Sequence, residues 1–328
     1  MKQDSTIHDN TNDDMNMRKK NGMANNKIVK ALILTGFGLN CDIETAHAFE
    51  VAGAEAHRVH INSLISGKVE LDSFHILAFG GGFSWGDDHG AGVIQALKLK
   101  NHIGDKILSF VNHGKLVIGI CNGFQTLVNL GLLPGIDRDY KTRSVALTWN
   151  DCGNFRDQWV HLTVNPDSPC VFTKDFDIAK MGTQQLEGQR VSEQASYSLE
   201  LPVRHAQGKF VADSTVVEKL VANNQVVLRY ATVNVDNLKV EPAMHQFPMN
   251  PNGSIYDIAG ICDSSGHIFG LMPHPEAYNH YTNHPDWTRK AEQLKRNLTK
   301  EDRISDRDRV TPGMKMFING VNYMASKL

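Results

Sequence analysis

The segment that most restricts this chain is Gly119-Ile120-Cys121-Asn122-Gly123. It follows the β-branched run Lys115–Ile120 and opens a helical pattern from Asn122 to Leu130, which Gly131 and Pro134 close. A strand that turns straight into a helix at one cysteine is a nucleophile elbow, the cysteine counterpart of G-x-S-x-G. The turn closes only if the flanking residues lack the Cβ atoms that would collide as strand folds back into helix. The cysteine is then strained and pushed out of the sheet. Such a turn needs a buried strand backed by a helix, which points to an α/β fold.

The flanking chain has that alternation. Ile28–Leu34 reads as a buried strand ending in the turn Thr35-Gly36-Phe37-Gly38, and Asp42–Ala52 reads as a helix stopped by Gly53. Ala54–Ile61 and Phe74–Phe79 are strand-like, the latter running into Gly80-Gly81-Gly82-Phe83. A helix is expected over about 91–112, broken near Gly104. This order predicts a mostly parallel sheet with helices on both faces and ligands at the strand C-termini. Strand-like runs near 144–149, 158–164, 199–206, 225–234, 254–262 and 267–272 extend the same sheet.

The expected organisation is a polar, mobile extension over 1–27, one domain over 28–285, and a charged helical extension over 286–328 packed on that domain. In the last of these, Thr311-Pro312 begins a helix through Met324.

With 328 residues, 41% of them hydrophobic, the chain can bury a sizeable core, and a net charge of −2 offers no basic surface for nucleic acid. No apolar run is long enough to cross a bilayer, and the polar N-terminus does not read as a secretory signal. The five cysteines form no CxxC pair and suit neither a disulfide framework nor a zinc site, so a cytoplasmic protein without a metal is expected.

Cysteine in a sheet is commonly a small core residue, and the elbow sets Cys121 apart. The helix N-terminus beneath it favours negative charge on sulfur, and the Asn122 N–H is placed to receive an oxyanion. Gly82, in the glycine run, is the expected second donor. A proton acceptor with an orienting partner follows the last apolar run as His274-Pro275-Glu276, where Pro275 is expected to keep the segment extended.

Other candidates have plainer readings. Cys41, between Asn40 and Asp42, suits a helix start and a structural or interface role. Asp87, Asp88 and His89 suit either the mouth of the site or a solvated loop. Arg204 and His205 suit subunit contact or sheet-edge packing, and His280 and His284 a surface or packing role. The charged run 289–309 suits a solvated helix face.

These pieces in this order resemble the triad-type class I glutamine amidotransferases. Residues 36–44 and 80–92, Cys121-Asn-Gly-Phe-Gln125, Pro202–Gly208, Asn250-Pro-Asn-Gly-Ser254 and Met272–Glu276 narrow the resemblance to the glutaminase component of phosphoribosylformylglycinamidine synthase. The resemblance implies a flavodoxin-like fold and a triad of Cys121, His274 and Glu276. It also implies an oxyanion hole at Gly82 and Asn122, and a glutamine pocket shaped by Gln125 and Phe83.

The implied reaction is hydrolysis of glutamine through a cysteine thioester. Ammonia then passes to a separate synthetase, which carries the ATP and magnesium sites and is accompanied by a small third subunit. No P-loop or acidic nucleotide–magnesium cluster is present in this chain. The family usually has Arg after His-Pro-Glu, where this chain has Ala277. Two alternatives stay open: service to another synthetase, and a catalytically silent structural or regulatory subunit.

Overall fold

The structure, a computed structural model, describes residues 28–176, 198–234, 239–297 and 310–328. The extension over 1–27 and part of the 289–309 run lie outside the described residues.

The first half is β1 (Lys30–Thr35), α1 (Asp42–Val51), β2 (Glu55–His60), α2 (Ile61–Ile65), β3 (Ile76–Phe79), α3 (Val93–Asn112), β4 (Leu116–Ile120) and α4 (Asn122–Leu130). The second half adds β5 (Val145–Trp149), β6 (Arg156–Val164), β7 (Leu199–His205), β8 (Gln207–Ala212), α5 (Ser214–Ala222), β9 (Val226–Val233), β10 (Val240–Pro242), β11 (Ile258–Cys262) and β12 (Ile268–Leu271). Two helices, α6 (Trp287–Asn297) and α7 (Pro312–Ala325), follow.

The main sheet has the order β2-β1-β3-β4-β12-β11-β9-β6-β7, with β10 added to β9, while β5 and β8 pair separately. The strands β2, β1, β3, β4 and β12 are mutually parallel. From β12 onward the pairings are antiparallel. The parallel expectation therefore holds where the chain alternates strand and helix, and the second half extends the sheet with antiparallel strands, except that the run at 144–149 pairs with β8 in a separate sheet and does not join the main one.

The apolar runs ILAF of β3 and LVIGI of β4 are wholly buried, as strands covered on both faces must be. The polar β2 takes the edge. Strand order reverses between β1 and β3, so the loops after them open at one crevice.

The break expected in α3 falls at Ile103 (φ −139°), next to Gly104. The run at 254–262 is a strand only from Ile258, because Tyr256 and Asp257 take left-handed φ values of 56° and 54°. That turn brings the buried Asp257 carboxylate to the N–H groups of Met244 and His245, each at 2.9 Å, and to Asn250 Nδ2. A buried carboxylate needs such donors.

Helix α7 starts as expected, with Thr311 Oγ1 accepting the Met314 N–H. It buries Met314, Phe317, Val321 and Met324, and Phe317 meets Phe49 of α1 edge-on at 5.0 Å.

Candidate active site

Cys121 lies at the turn from β4 to α4 with φ 51° and ψ −106°. A non-glycine residue there carries about 1–3 kcal/mol of strain. The elbow glycines explain how the turn closes. A Cβ on Gly119 would lie 2.7 Å from the Gly123 carbonyl carbon, and one on Gly123 would lie 2.0 Å from the Phe79 carbonyl oxygen of β3. The Cys121 N–H donates to Leu271 O at 2.8 Å, and its thiol donates to Arg204 O at 3.7 Å.

His274 reaches the cysteine through strand register. In the parallel β4–β12 pair, Ile120 lies opposite Leu271, so the residues that follow both strands emerge at one end. The His274 N–H donates to Pro202 O at 2.8 Å, and Nδ1 is 2.5 Å from Glu276 Oε1. His274 is 2% exposed and Glu276 0%.

Pro275 does not keep this segment extended. Pro275–Ala277 is a single 3-10 turn with proline in its first position. The fixed proline φ suits the start of a helical turn, and that turn swings Glu276 back beneath the imidazole two residues earlier. Burial alone would push His274 down. The Glu276 carboxylate and the Cys121 sulfur outweigh burial and hold the imidazole well above its ordinary range. Its Nε2 makes no hydrogen bond among the described residues.

The glycine run after β3 is pinned to the loop after β1. Gly81 O accepts the N–H groups of Asn40 and Cys41 at 3.4 and 3.3 Å, and Phe83 N–H donates to Gly38 O at 2.9 Å. Gly82 has φ +137°, and a Cβ there would lie 2.8 Å from Asn40 N, Gly38 O and Leu39 Cα. Only glycine fits this position. Gly81 faces the histidine, and a Cβ on it would come within 2.7 Å of His274 Cε1.

Sequence reasoning missed the position of Cys41. It is the residue before α1, as expected of a helix start. Its bond to Gly81, which faces His274, also carries its sulfur to the His–Glu pair, and the Cys41, His274 and Glu276 ligand atoms lie within 4.8 Å of one another. Burial pushes the Cys41 thiol up, so it stays neutral. No spacing in the sequence could have signalled this, because the contact crosses three loops.

Asp87 belongs to the site's wall. Its carboxylate accepts from Asn122 Nδ2 at 2.9 Å, and burial, only partly countered by that bond, pushes it up to about 6. Gln125 is buried and donates to Gln207 O at 2.5 Å, while Gln207 Oε1 accepts the Ala91 N–H at 3.3 Å. Phe83 is 44% exposed, and its ring faces Phe155 at 6.2 Å.

The Asn250–Ser254 motif supports the loop over Cys121. Asn252 Nδ2 donates to Gly208 O at 2.9 Å, and Ser254 Oγ accepts the Phe210 N–H at 2.9 Å. Asn150 Nδ2 donates to His205 O at 2.8 Å. His284 is buried against Trp159, with centroids 4.6 Å apart, and its Nε2 lies 3.3 Å from Glu200. The exposed His280 caps the turn Tyr281–Asn283.

His205, on the edge strand β7, is buried, which fits sheet-edge packing and not subunit contact. Burial first, and the charge of His274 second, push it down to about 3. The unfolded chain binds this proton near pH 6.5 and the folded chain does not, so stability is full above about 6.5 and falls as pH drops toward 3. Relative to His205→Gln, the wild type is expected to lose up to about 1.4 kcal/mol per pH unit below that point. Urea unfolding of both proteins at pH 7 and 5 measures this. An equal pH response in the two would contradict it.

Residues 28–199 and 190–324 match the family described as the CobB/CobQ-like glutamine amidotransferase domain. The chain is 42% identical over 270 residues to phosphoribosylformylglycinamidine synthase subunit PurQ of Methanococcus maripaludis, covering 82% of this chain and 90% of the relative. It is also 42% identical over 295 residues to the protein of that name from Dehalococcoides mccartyi, covering 90% and 97%.

Among solved structures it is similar to a chain from the structure of PurLQS from Thermotoga maritima, with a TM-score of 0.56 and 30% identity over 83% of this chain and 99% of that one. No helix among the described residues is long and apolar enough to cross a membrane. The elbow, the His–Glu pair beside it and relatives of this identity along most of the sequence lead to one family: the chain belongs to the glutamine amidotransferases of the phosphoribosylformylglycinamidine synthase PurQ type.

Proposed function

We propose that this chain hydrolyses glutamine and delivers the ammonia to a separate ATP-dependent synthetase that makes formylglycinamidine ribonucleotide in purine biosynthesis. The observation that carries the reading is the buried His274–Glu276 bond, 2.5 Å long, beside a strained cysteine at a helix N-terminus. Names and sequence similarity of the relatives support the pathway.

In this reading the Cys121 thiolate attacks the glutamine amide carbon, and charge develops on the carbonyl oxygen. The N–H groups of Gly82 and Asn122 stabilise that oxyanion. His274, kept protonated by Glu276, gives its proton to the departing nitrogen, and ammonia leaves with the C–N bond electrons. Water then attacks the thioester with His274 as base, which yields glutamate and restores the thiol. Gln125 and Phe83 border the pocket.

ATP and magnesium act on the synthetase, which works with a small third subunit, and the setting is the cytoplasm. Residues 28–285 form the amidotransferase domain, and 286–328 extend it; Phe317 against Phe49 supports the latter.

Glutamate release is expected to rise at least tenfold when the PurQ-less synthetase, formylglycinamide ribonucleotide and ATP are added, because the partner closes the site around substrate. Equal rates with and without the partner would remove the coupling. Acceleration by a different synthetase alone would move the chain to another pathway.

A further inference from the structure

We propose that Arg204 and Glu44 form the recognition site for the zwitterionic head of the substrate amino acid, Arg204 binding its α-carboxylate and Glu44 its α-ammonium group. This rests on the glutaminase reading and adds the residues that select an α-amino acid over other amides.

The Cys121 thiol donates to the backbone oxygen of Arg204, so this residue forms part of the cover directly over the nucleophile. Glu44 stands in the first turn of α1, three residues past Cys41, whose sulfur lies beside His274. The guanidinium and this carboxylate approach to 3.7 Å, one carried by the strand whose backbone covers Cys121 and the other by the helix that begins beside Cys41. In glutamine the amide carbon and the α-carbon are separated by two methylenes, about 4 Å. Attack at Cys121 then leaves the head group within reach of both side chains.

Arg204 Nε and Nη2 are buried and make no hydrogen bond among the described residues. Among the described residues the guanidinium pairs with Glu44 Oε1, at 3.7 Å from Nη2, an ion-pair distance too long for a hydrogen bond. Covered guanidinium donors left unused are costly unless a partner completes them. A carboxylate that accepts two parallel N–H bonds fits its fork. Arg204 and Glu44 are 35% and 31% exposed at the side chain, so each presents part of its surface to solvent. Opposite charges held close but unbonded complement an amino acid head, which presents the same two charges reversed.

The test compares kcat/KM for three amides: glutamine, 4-aminobutanamide (no α-carboxylate) and glutaramate (no α-amino group). A ratio of two substrates on one enzyme cancels the folded fraction, so a poorly folding variant cannot mimic the effect. Arg204→Gln is expected to reduce the preference for glutamine over 4-aminobutanamide about 10- to 100-fold, the worth of charge-assisted hydrogen bonds, while its preference over glutaramate holds within threefold. Glu44→Gln is expected to show the converse pattern.

Ratios unchanged within twofold in both variants overturn the assignment and leave the glutaminase reading standing. Ratios that fall alike in both variants also overturn it, since they report a general distortion of the pocket. Wild-type enzyme inert toward all three amides, alone and with the synthetase, removes the glutaminase reading and this assignment with it.

Discussion

Cys121→Ala is expected to lower glutamate release by a factor on the order of 10⁵ or more, to the level of background hydrolysis. The size of the effect follows from the covalent route. Without the sulfur, water must attack an amide whose leaving group is a poor one, and the donors proposed at Gly82 and Asn122 act on a reaction they were not shaped for. Alanine at φ 51° keeps the same backbone penalty as cysteine, so the elbow should close around it and the fold should persist. Glutamate formation by the purified variant in the presence of the synthetase measures this. Activity within tenfold of the wild type would mean that another group performs the attack.

Glu276→Gln is expected to cost on the order of 10³–10⁴ in kcat, by analogy with loss of the carboxylate in other triads. Glutamine matches the shape of the fully buried Glu276 but offers its partner no negative charge. The imidazole, now held well above its ordinary range mainly by that carboxylate against the pull of burial, would fall. The leaving nitrogen needs a protonated His274, so activity is lost as pH rises through its pKa, and lowering that pKa moves the alkaline limb of the profile to lower pH. A pH–rate profile of the variant separates this from a packing defect, which would lower the whole curve without moving the limb. An unmoved limb together with near-normal kcat would show that Glu276 does not govern the histidine.

Much of this site could be read from the linear chain because its elements are local. Gly119 and Gly123 bracket the elbow in five residues, and His274 and Glu276 lie two apart. The parallel strands were equally plain, since β3 and β4 are uninterrupted apolar runs. Features formed by long-range adjacency could not be read. Cys41 meets His274 because the loops after β1 and β3 are tied together beside the histidine, and Asp87, legible only as one of two alternatives, meets Asn122 because the loop after β3 folds over α4.

The extended reading of Pro275 failed for a different reason. Proline fixes φ near a value shared by extended chain and helix, and only the closure of Glu276 onto His274 decides between them. The helix α5 and strand β8 were also missed. Gln207–Ala212 is a short alternating run that pairs with the separate β5, and α5 buries only Val217 and Leu220, so neither leaves a long apolar pattern.

The central claim is that Cys121 carries the glutamyl group during turnover, and the direct measurement is mass spectrometry of enzyme quenched in acid while turning over glutamine. The expected result is a mass increase of one glutamyl group on the peptide containing Cys121, absent in Cys121→Ala and discharged when the quench is delayed beyond glutamine exhaustion. A glutamyl group on Cys41 or any other residue, or turnover with no acyl-enzyme at any quench time, would contradict it.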